Sequence, residues 1–247
     1  MAQLKSRLDV LLVDKGLASS RTEAQSMIMA GQVFISDQRI DKCGIKVAVD
    51  SLIAVKNRGS RFVSRGGLKL EAAIEFFGIS VNGKSAIDIG ASTGGFTDCL
   101  LANGAERVFC VDVGHGQLAE KIRNDRRVSI KDRFNARYIK PDDIPWPCDL
   151  AVIDVSFISL KLVLPPLQEC MPDGSTIVAL VKPQFEVGKG MVGKGGIVKE
   201  DSLRIEAVDG IEQFASKSGF RSNGRMESPV KGMDGNVEYF LYLTVKK

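Results

Sequence analysis

The feature that most constrains this chain is residues 85–96, where the apolar run SAIDI leads into the turn GASTGGF and then into a helical pattern. A short apolar run, closed by a glycine turn and followed by a helix, opens a βα unit. The same alternation recurs from Arg65 onward. It predicts a helix over about 67–77, a strand over 85–89, a helix through Leu101 and a strand over 108–111. A short helix near 117–123, strands near 128–131 and 150–154, and a helix near 160–167 follow. The segment ends with a strand at 176–181, a long helix near 203–216 and two closing strands. Strands alternating with helices form a mostly parallel sheet covered on both faces. The last two strands have no helix between them, which predicts an antiparallel edge. The expected fold class is therefore α/β, a doubly wound seven-stranded sheet preceded by a small α+β domain.

That small domain occupies the first sixty residues. Ser6 precedes the apolar positions Leu8, Leu11 and Leu12, and Gly16 follows them, the pattern of a capped helix. Ser20 with Glu23 reads as the capping box of a second helix carrying Ala24, Met27 and Ile28, with Gly31 as its stop. Alternating apolar residues then predict strands at Val33 and Ile35 and within 45–55. The expected organisation is a domain at 1–58, a linker at 59–64 and a second domain at 65–247. Residues 1–62 carry ten Lys/Arg against six Asp/Glu, so the whole net charge of +4 resides there. Excess positive charge confined to one module points to a polyanionic partner.

Several classes are disfavoured. The five cysteines are scattered without a C-x-x-C pair, which argues against a disulfide framework or a zinc site and fits a reducing compartment. The N-terminal apolar run is interrupted by charges, and the most apolar stretch, 150–167, contains Asp154 and Lys161. Neither a signal peptide nor a spanning helix can be drawn there. The expectation is a cytoplasmic protein with no metal and no membrane partner, monomeric for preference.

The loop Asp88-Ile-Gly90-Ala-Ser92-Thr93-Gly94-Gly95-Phe96 puts backbone amides at the carboxyl edge of the sheet, where open α/β folds bind ligands. A dinucleotide fingerprint would need glycine where Ser92 stands, because that glycine lets a pyrophosphate approach the backbone. S-adenosylmethionine has no pyrophosphate, so the loop favours it over a nicotinamide dinucleotide without excluding the latter. Asp112, at the end of the next strand, is placed to accept ribose hydroxyls, as either cofactor requires.

The reacting atom can be approached by elimination. Exocyclic nitrogen methylation typically uses an Asn/Asp-Pro-Pro-aromatic segment after the fourth strand, where this chain has Asp154-Val-Ser156-Phe157. A carbon target needs a cysteine at the reaction edge, but Cys148 lies at the start of its strand and reads as packing. Asp154 could simply cap a helix, and Lys182 could be a solvated strand end. Together they put a carboxylate and an amine side by side at the reaction edge. A ribose 2′-hydroxyl needs a positioned base. A lysine serves only when burial or a neighbouring cation lowers its pKa, and Lys69 is the candidate cation.

The segments SRGGLKL, DIGASTGGFTDCLL, VDVGHGQL, VIDVSFISL, LVKPQFEVGKG and GNVEYF resemble the TlyA family, an FtsJ-like group. The N-terminal stretch SRTEAQSMIMAGQV resembles the RNA-binding module of ribosomal protein S4 and pseudouridine synthases. The resemblance implies transfer of a methyl group from S-adenosylmethionine to the 2′-hydroxyl of a cytidine in ribosomal RNA. It implies a tetrad of Lys69, Asp154, Lys182 and Glu238, with Lys182 the base or hydroxyl orienter. Asp88, Gly90, Ser92, Thr93, Gly94, Gly95, Phe96 and Asp112 would hold the cofactor, with Asn135 on the adenine side. Arg7, Lys15 and Arg21 would meet RNA phosphates. Longer members continue past the final strand, and a chain stopping at Lys247 is expected to act on the large subunit rather than the small. Two other readings stay open: a membrane-lytic haemolysin, the label many such proteins carry, and an inactive RNA-binding assembly factor.

Overall fold

A strand buried on both faces needs apolar side chains on both, and Ser85–Ile89 is buried at every position. It lies mid-sheet in a computed structural model that describes residues 4–29, 31–36, 38–55, 61–188, 190–193, 195–232 and 234–247. Residues 59 and 60 of the expected linker, and 56–58 before it, lie outside the described residues.

The N-terminal domain contains β1 (Lys5–Arg7), α1 (Leu8–Asp14), α2 (Arg21–Met29), β2 (Val33–Ile35), β3 (Gln38–Arg39), β4 (Lys46–Ala48) and β5 (Ile53–Val55). Its helices pack through Leu8, Leu11, Leu12, Ala24 and Ile28. Ser6 does not cap α1. It lies in β1, opposite Val47 of β4, and Arg7 takes the capping position. Sequence signals for a cap are local, whereas this pairing spans some forty residues of chain and overrides them. At α2, Ser20 Oγ accepts the Glu23 amide as expected, but the Glu23 carboxylate reaches back to Ser19 rather than to Ser20.

The second domain follows as α3 (Arg65–Phe77), β6 (Ser85–Ile89), α4 (Gly95–Ala102), β7 (Arg107–Val111), α5 (Glu120–Arg123) and β8 (Val128–Lys131). Then come β9 (Leu150–Ile153), α6 (Leu164–Cys170), β10 (Thr176–Val181), α7 (Pro183–Glu186), α8 (Asp201–Lys217), β11 (Phe220–Glu227) and β12 (Tyr239–Val245). The helix expected over 160–167 divides into a 3-10 turn and α6, with Pro165 and Pro166 in the first turn of α6, where their missing N–H groups cost no bond.

The sheet runs β11-β12-β10-β9-β6-β7-β8. Strands β8, β7, β6, β9 and β10 are parallel, and β12 is antiparallel to both β10 and β11. The expected antiparallel edge is thus formed by β11 and β12, with the reversed strand β12 one position inside the edge strand β11. The chain leaves β11 on the outside and folds β12 back into the gap beside β10.

Alternate residues of each strand feed two cores. Ile87, Ile89, Phe109, Ile153, Ile177 and Leu241 pack on one face with α6 and α8. Ala86, Val108, Leu150, Val178, Leu180 and Phe240 pack on the other with α3 and α4. Burying each large side chain contributes roughly 1.5–3 kcal/mol.

Phe62 belongs to the second core and is 2% exposed, so the linker region is anchored on the second domain before α3 begins. Gly67 makes room for it, since a Cβ there would lie 2.4 Å from the ring. Phe62→Ala is therefore expected to destabilise the domain by about 3–5 kcal/mol. Urea unfolding monitored by circular dichroism checks this through a lower midpoint at unchanged slope.

Candidate active site

The parallel strands deliver their carboxyl ends to one edge, and the residues there come from β6, β7, β9 and β10. The turn after β6 is possible because residue 90 is glycine: it has φ +85, and a Cβ would fall 2.3 Å from the Asp154 carbonyl oxygen. Backbone therefore touches backbone between the ends of β6 and β9. Ser92 also adopts a positive φ of 48°, an uncommon conformation outside glycine that tightens the loop. Its amide donates to Asp112 Oδ2 at 2.8 Å, and the Gly114 amide donates to Asp112 Oδ1 at 2.7 Å. The Asp112 carboxylate is thereby fixed at the end of β7.

Two cavities flank this contact. The larger, ≈ 670 Å³, lies between Gly90 and Ser92, Asp112 and Val113, Asn135, and the loop after β9 with Ile158 and Leu162. Its largely apolar walls, with the Asp112 carboxylate on one side and Asp154 on the wall shared with the second cavity, suit a nucleoside, and its volume falls in the range of small-molecule sites. The smaller, ≈ 260 Å³, holds Lys69, Asp154, Lys182 and Glu238 together with Ser92, Thr93, Gly95 and Phe96. Gly90, Ser92, Asp154, Ser156 and Phe157 line both.

The four charged residues form two ion pairs. Lys69 Nζ lies 2.6 Å from Glu238 Oε2, with both side chains nearly buried. Lys182 Nζ lies 2.5 Å from Asp154 Oδ1 and donates to Ser156 Oγ at 2.9 Å. Burial pushes the Asp154 carboxyl pKa up, but Lys182 and Lys69 outweigh that and hold it below its ordinary value. Burial pushes Lys182 down, but Asp154 and Glu238 outweigh it and hold its ammonium pKa above the usual value. This corrects one expectation. Lys69 does not act as a cation that deprotonates Lys182, because Glu238 neutralises it and the carboxylates dominate around Lys182.

The remaining sequence-derived positions divide. Asn135 lines the larger cavity while its Oδ1 accepts the Arg137 amide and caps a 3-10 turn. Gly94 lines neither cavity; a Cβ there would sit 3.0 Å from Leu118 and Ile122. Asp88 also lines neither. It is fully buried beneath the loop, accepting from Thr97 Oγ1 at 2.6 Å, and its Oδ1 has no hydrogen-bond partner. Burial pushes its carboxyl up to about 7.

Three groups were not singled out from sequence: Ser156 on Lys182, Phe157 standing 91% exposed between the cavities, and Glu186 behind them. All depend on which loops meet in space. In the N-terminal domain the unanticipated residue is Asp9, fully buried, which accepts from Arg7, Arg21 and Gln25. The hydrogen bond from Arg7, with those from Gln25 and Arg21, holds the Asp9 carboxyl far below the usual range despite burial. Arg7 and Arg21 remain about half exposed, and Lys15 donates to the Ser51 carbonyl at 3.4 Å.

Residues 62–245 match the family described as FtsJ-like methyltransferase, and residues 6–53 match the S4 domain. The chain belongs to the FtsJ-like methyltransferase family. It is 47% identical to the 16S/23S rRNA (cytidine-2′-O)-methyltransferase TlyA of Mycobacterium tuberculosis, over 97% of this chain and 90% of that one. It is 37% identical to the 23S rRNA (cytidine-2′-O)-methyltransferase TlyA of Campylobacter jejuni, over 73% and 70% of the two chains. A solved structure of a protein described as a hemolysin, from Streptococcus thermophilus, superposes with a TM-score of 0.78 at 44% identity, covering 100% of this chain and 90% of that one. Among the described residues no helix is long and apolar enough to cross a membrane, and no cluster of metal-ligating side chains occurs.

Asp88 gives this methyltransferase a pH signature. Its folded pKa lies above the unfolded value, so the folded state holds a proton that the unfolded state releases from about pH 4 upward. Stability is expected to fall as pH rises from 4 to about 7 and then level off. Asp88→Asn should flatten that decline, as measured by urea midpoints of both proteins across the range.

Proposed function

We propose that this protein transfers a methyl group from S-adenosylmethionine to the 2′-hydroxyl of a cytidine in ribosomal RNA, acting in the cytoplasm. The observation that carries the reading is the pair of ion pairs, Lys69–Glu238 and Lys182–Asp154, gathered in the smaller cavity with Asp154 on the wall it shares with the larger. The names of the M. tuberculosis and C. jejuni relatives support the cytidine and the ribose oxygen. Both names include 23S rRNA, which favours the large subunit.

The larger cavity fits the cofactor's nucleoside: apolar side chains against a purine, and the Asp112 carboxylate toward a ribose diol. Gly90, Ser92, Thr93, Gly95 and Phe96 would carry the loop that faces it, with Asn135 at the far side. Gly94 and the buried Asp88 would support that loop from below. When bound, S-adenosylmethionine supplies a methyl group activated by a cationic sulfur. The tetrad suits that neighbour, since two ammoniums balanced by two carboxylates present no net repulsion to a cation. An unpaired lysine would.

Lys182 works in its protonated form at rest. Held by Asp154 and Ser156, its ammonium donates to the ribose oxygen, aims a lone pair and stabilises charge developing there. Once the oxygen carries the methyl group its hydroxyl proton is strongly acidic and passes to the Asp154 carboxylate, while Lys182 keeps its own protons. The net result is a methylated oxygen and a protonated Asp154 that discharges to solvent. Lys69 and Glu238 fix the rest of the charge network around the ribose. Arg7, Lys15 and Arg21 supply phosphate contacts that position the RNA without reading its sequence.

Purified ribosomal subunits incubated with the protein and methyl-labelled S-adenosylmethionine should yield label in nuclease-resistant 2′-O-methyl dinucleotides containing cytidine. Label on a base would overturn the chemistry. Lys182→Ala is expected to keep cofactor affinity by calorimetry while turnover drops roughly 10²–10⁴-fold. Asp9→Asn, which loosens Arg7 and Arg21 together, should raise the Kd for RNA severalfold and leave cofactor affinity unchanged, as read by filter binding.

A further inference from the structure

The loop after β9 carries two of the groups gathered on Lys182, Asp154 and Ser156, yet it is irregular and partly strained. Phe157 has φ 63°, a left-handed conformation costly for a bulky residue, and its ring is 91% exposed. Such a conformation costs about 1–3 kcal/mol and persists only where its surroundings over-determine it. Neighbouring residues supply that constraint. Glu186, at the end of α7, sends both carboxylate oxygens to this loop. Oε1 accepts the Leu160 amide at 2.8 Å, and Oε2 accepts the Ser159 hydroxyl at 2.5 Å. Beside it, the Phe185 ring meets the Phe157 ring at 5.0 Å between centroids.

The connectivity makes this contact consequential. Glu186 is four residues past Lys182, and Ser159 is five past Asp154. The carboxylate therefore ties the two segments that leave the sheet edge on either side of the Lys182–Asp154 pair. Without it, the loop could relax its left-handed residue, and Asp154 and Ser156 would lose their shared position on Lys182 Nζ. Glu186 touches neither cavity wall, as it lines neither of them. Burial raises its pKa, opposed by the bonds from Ser159 and Leu160. A polar group is retained there at the cost of desolvation, with both oxygens engaged.

We propose that Glu186 is a positioning residue for methyl transfer, acting through the loop of residues 154–160 to hold Asp154 and Ser156 on the Lys182 ammonium. The proposal rests on the reading that this pair serves the transfer. It assigns a role to a carboxylate outside the tetrad.

The test uses the full chain with ribosomal subunits, measuring kcat at saturating S-adenosylmethionine and RNA, and hydrogen exchange across residues 154–160 without cofactor. Glu186→Ala is expected to lower kcat roughly 10- to 100-fold, the scale of an ångström-sized misplacement, and to speed exchange in that segment. Glu186→Gln should recover most of the rate, because its carbonyl can accept from Leu160 and its amide can donate to Ser159. Ser159→Ala should lose part of the rate, and adding it to Glu186→Ala should cost little more. A wild-type kcat in Glu186→Ala overturns the proposal. So do equal losses in the Ala and Gln variants, or a loss that saturating cofactor or RNA restores. Should Glu186→Ala fail to fold, Ser159→Ala decides: an unchanged kcat with unchanged exchange sinks the idea. The wild-type product map separately judges the function, since base methylation would refute that reading while leaving the effect of Glu186 on turnover measurable.

Discussion

The contact on which the site depends is the approach of the Gly90 backbone to the carbonyl of Asp154. A side chain at residue 90 would meet that oxygen at 2.3 Å, so only glycine allows the ends of β6 and β9 to close together. Because they do, the nucleoside-sized cavity and the charged cavity share a wall instead of lying side by side as separate pockets. A methyl donor in one and an acceptor in the other would then be separated by a few side chains. Proximity of this kind is where much of the acceleration of a two-substrate reaction originates.

Charge balance is the second constraint. Four ionised groups crowd into a small and partly desolvated volume, which would be prohibitive for any one of them alone. Pairing resolves this, and it also sets the protonation states. Lys182 stays an ammonium and Asp154 a carboxylate because each is the other's main favourable neighbour. The same logic operates far away at Asp9, where one buried carboxylate gathers two arginines and leaves their outer faces to solvent. The protein uses buried acids to aim basic groups in both domains.

Much of the fold was legible in the chain. Strands β6 and β10 are legible to their end residues because each is a short, mostly apolar run closed by a turn or a proline. The errors occur where non-local contacts decide. Ser6 looks like a cap until β4 pairs with it. The turn after β6 announces itself through its glycines. Glu238, by contrast, carries no signal of its own in periodicity or spacing; it is reached through the family resemblance, as is the place of Lys69 beside it. The state of Lys182 could not be read at all, since it depends on three neighbours brought from β9, the loop after it and the C-terminal hairpin. Ser156, Glu186 and Asp9 went unnoticed for the same reason.

The antiparallel course of β12 has a further consequence. A strand running against the parallel set begins where the others end, so Glu238, just before β12, arrives at the reaction edge and meets Lys69 across 169 residues of sequence. No earlier part of the chain supplies that carboxylate. During synthesis the chain must therefore extend through residue 245 before β12 can slot between β10 and β11. Until then Lys69 lacks the carboxylate it pairs with. The Lys69–Glu238 pair therefore forms only after β12 has joined the sheet, and a chain lacking β12 would lack that pair.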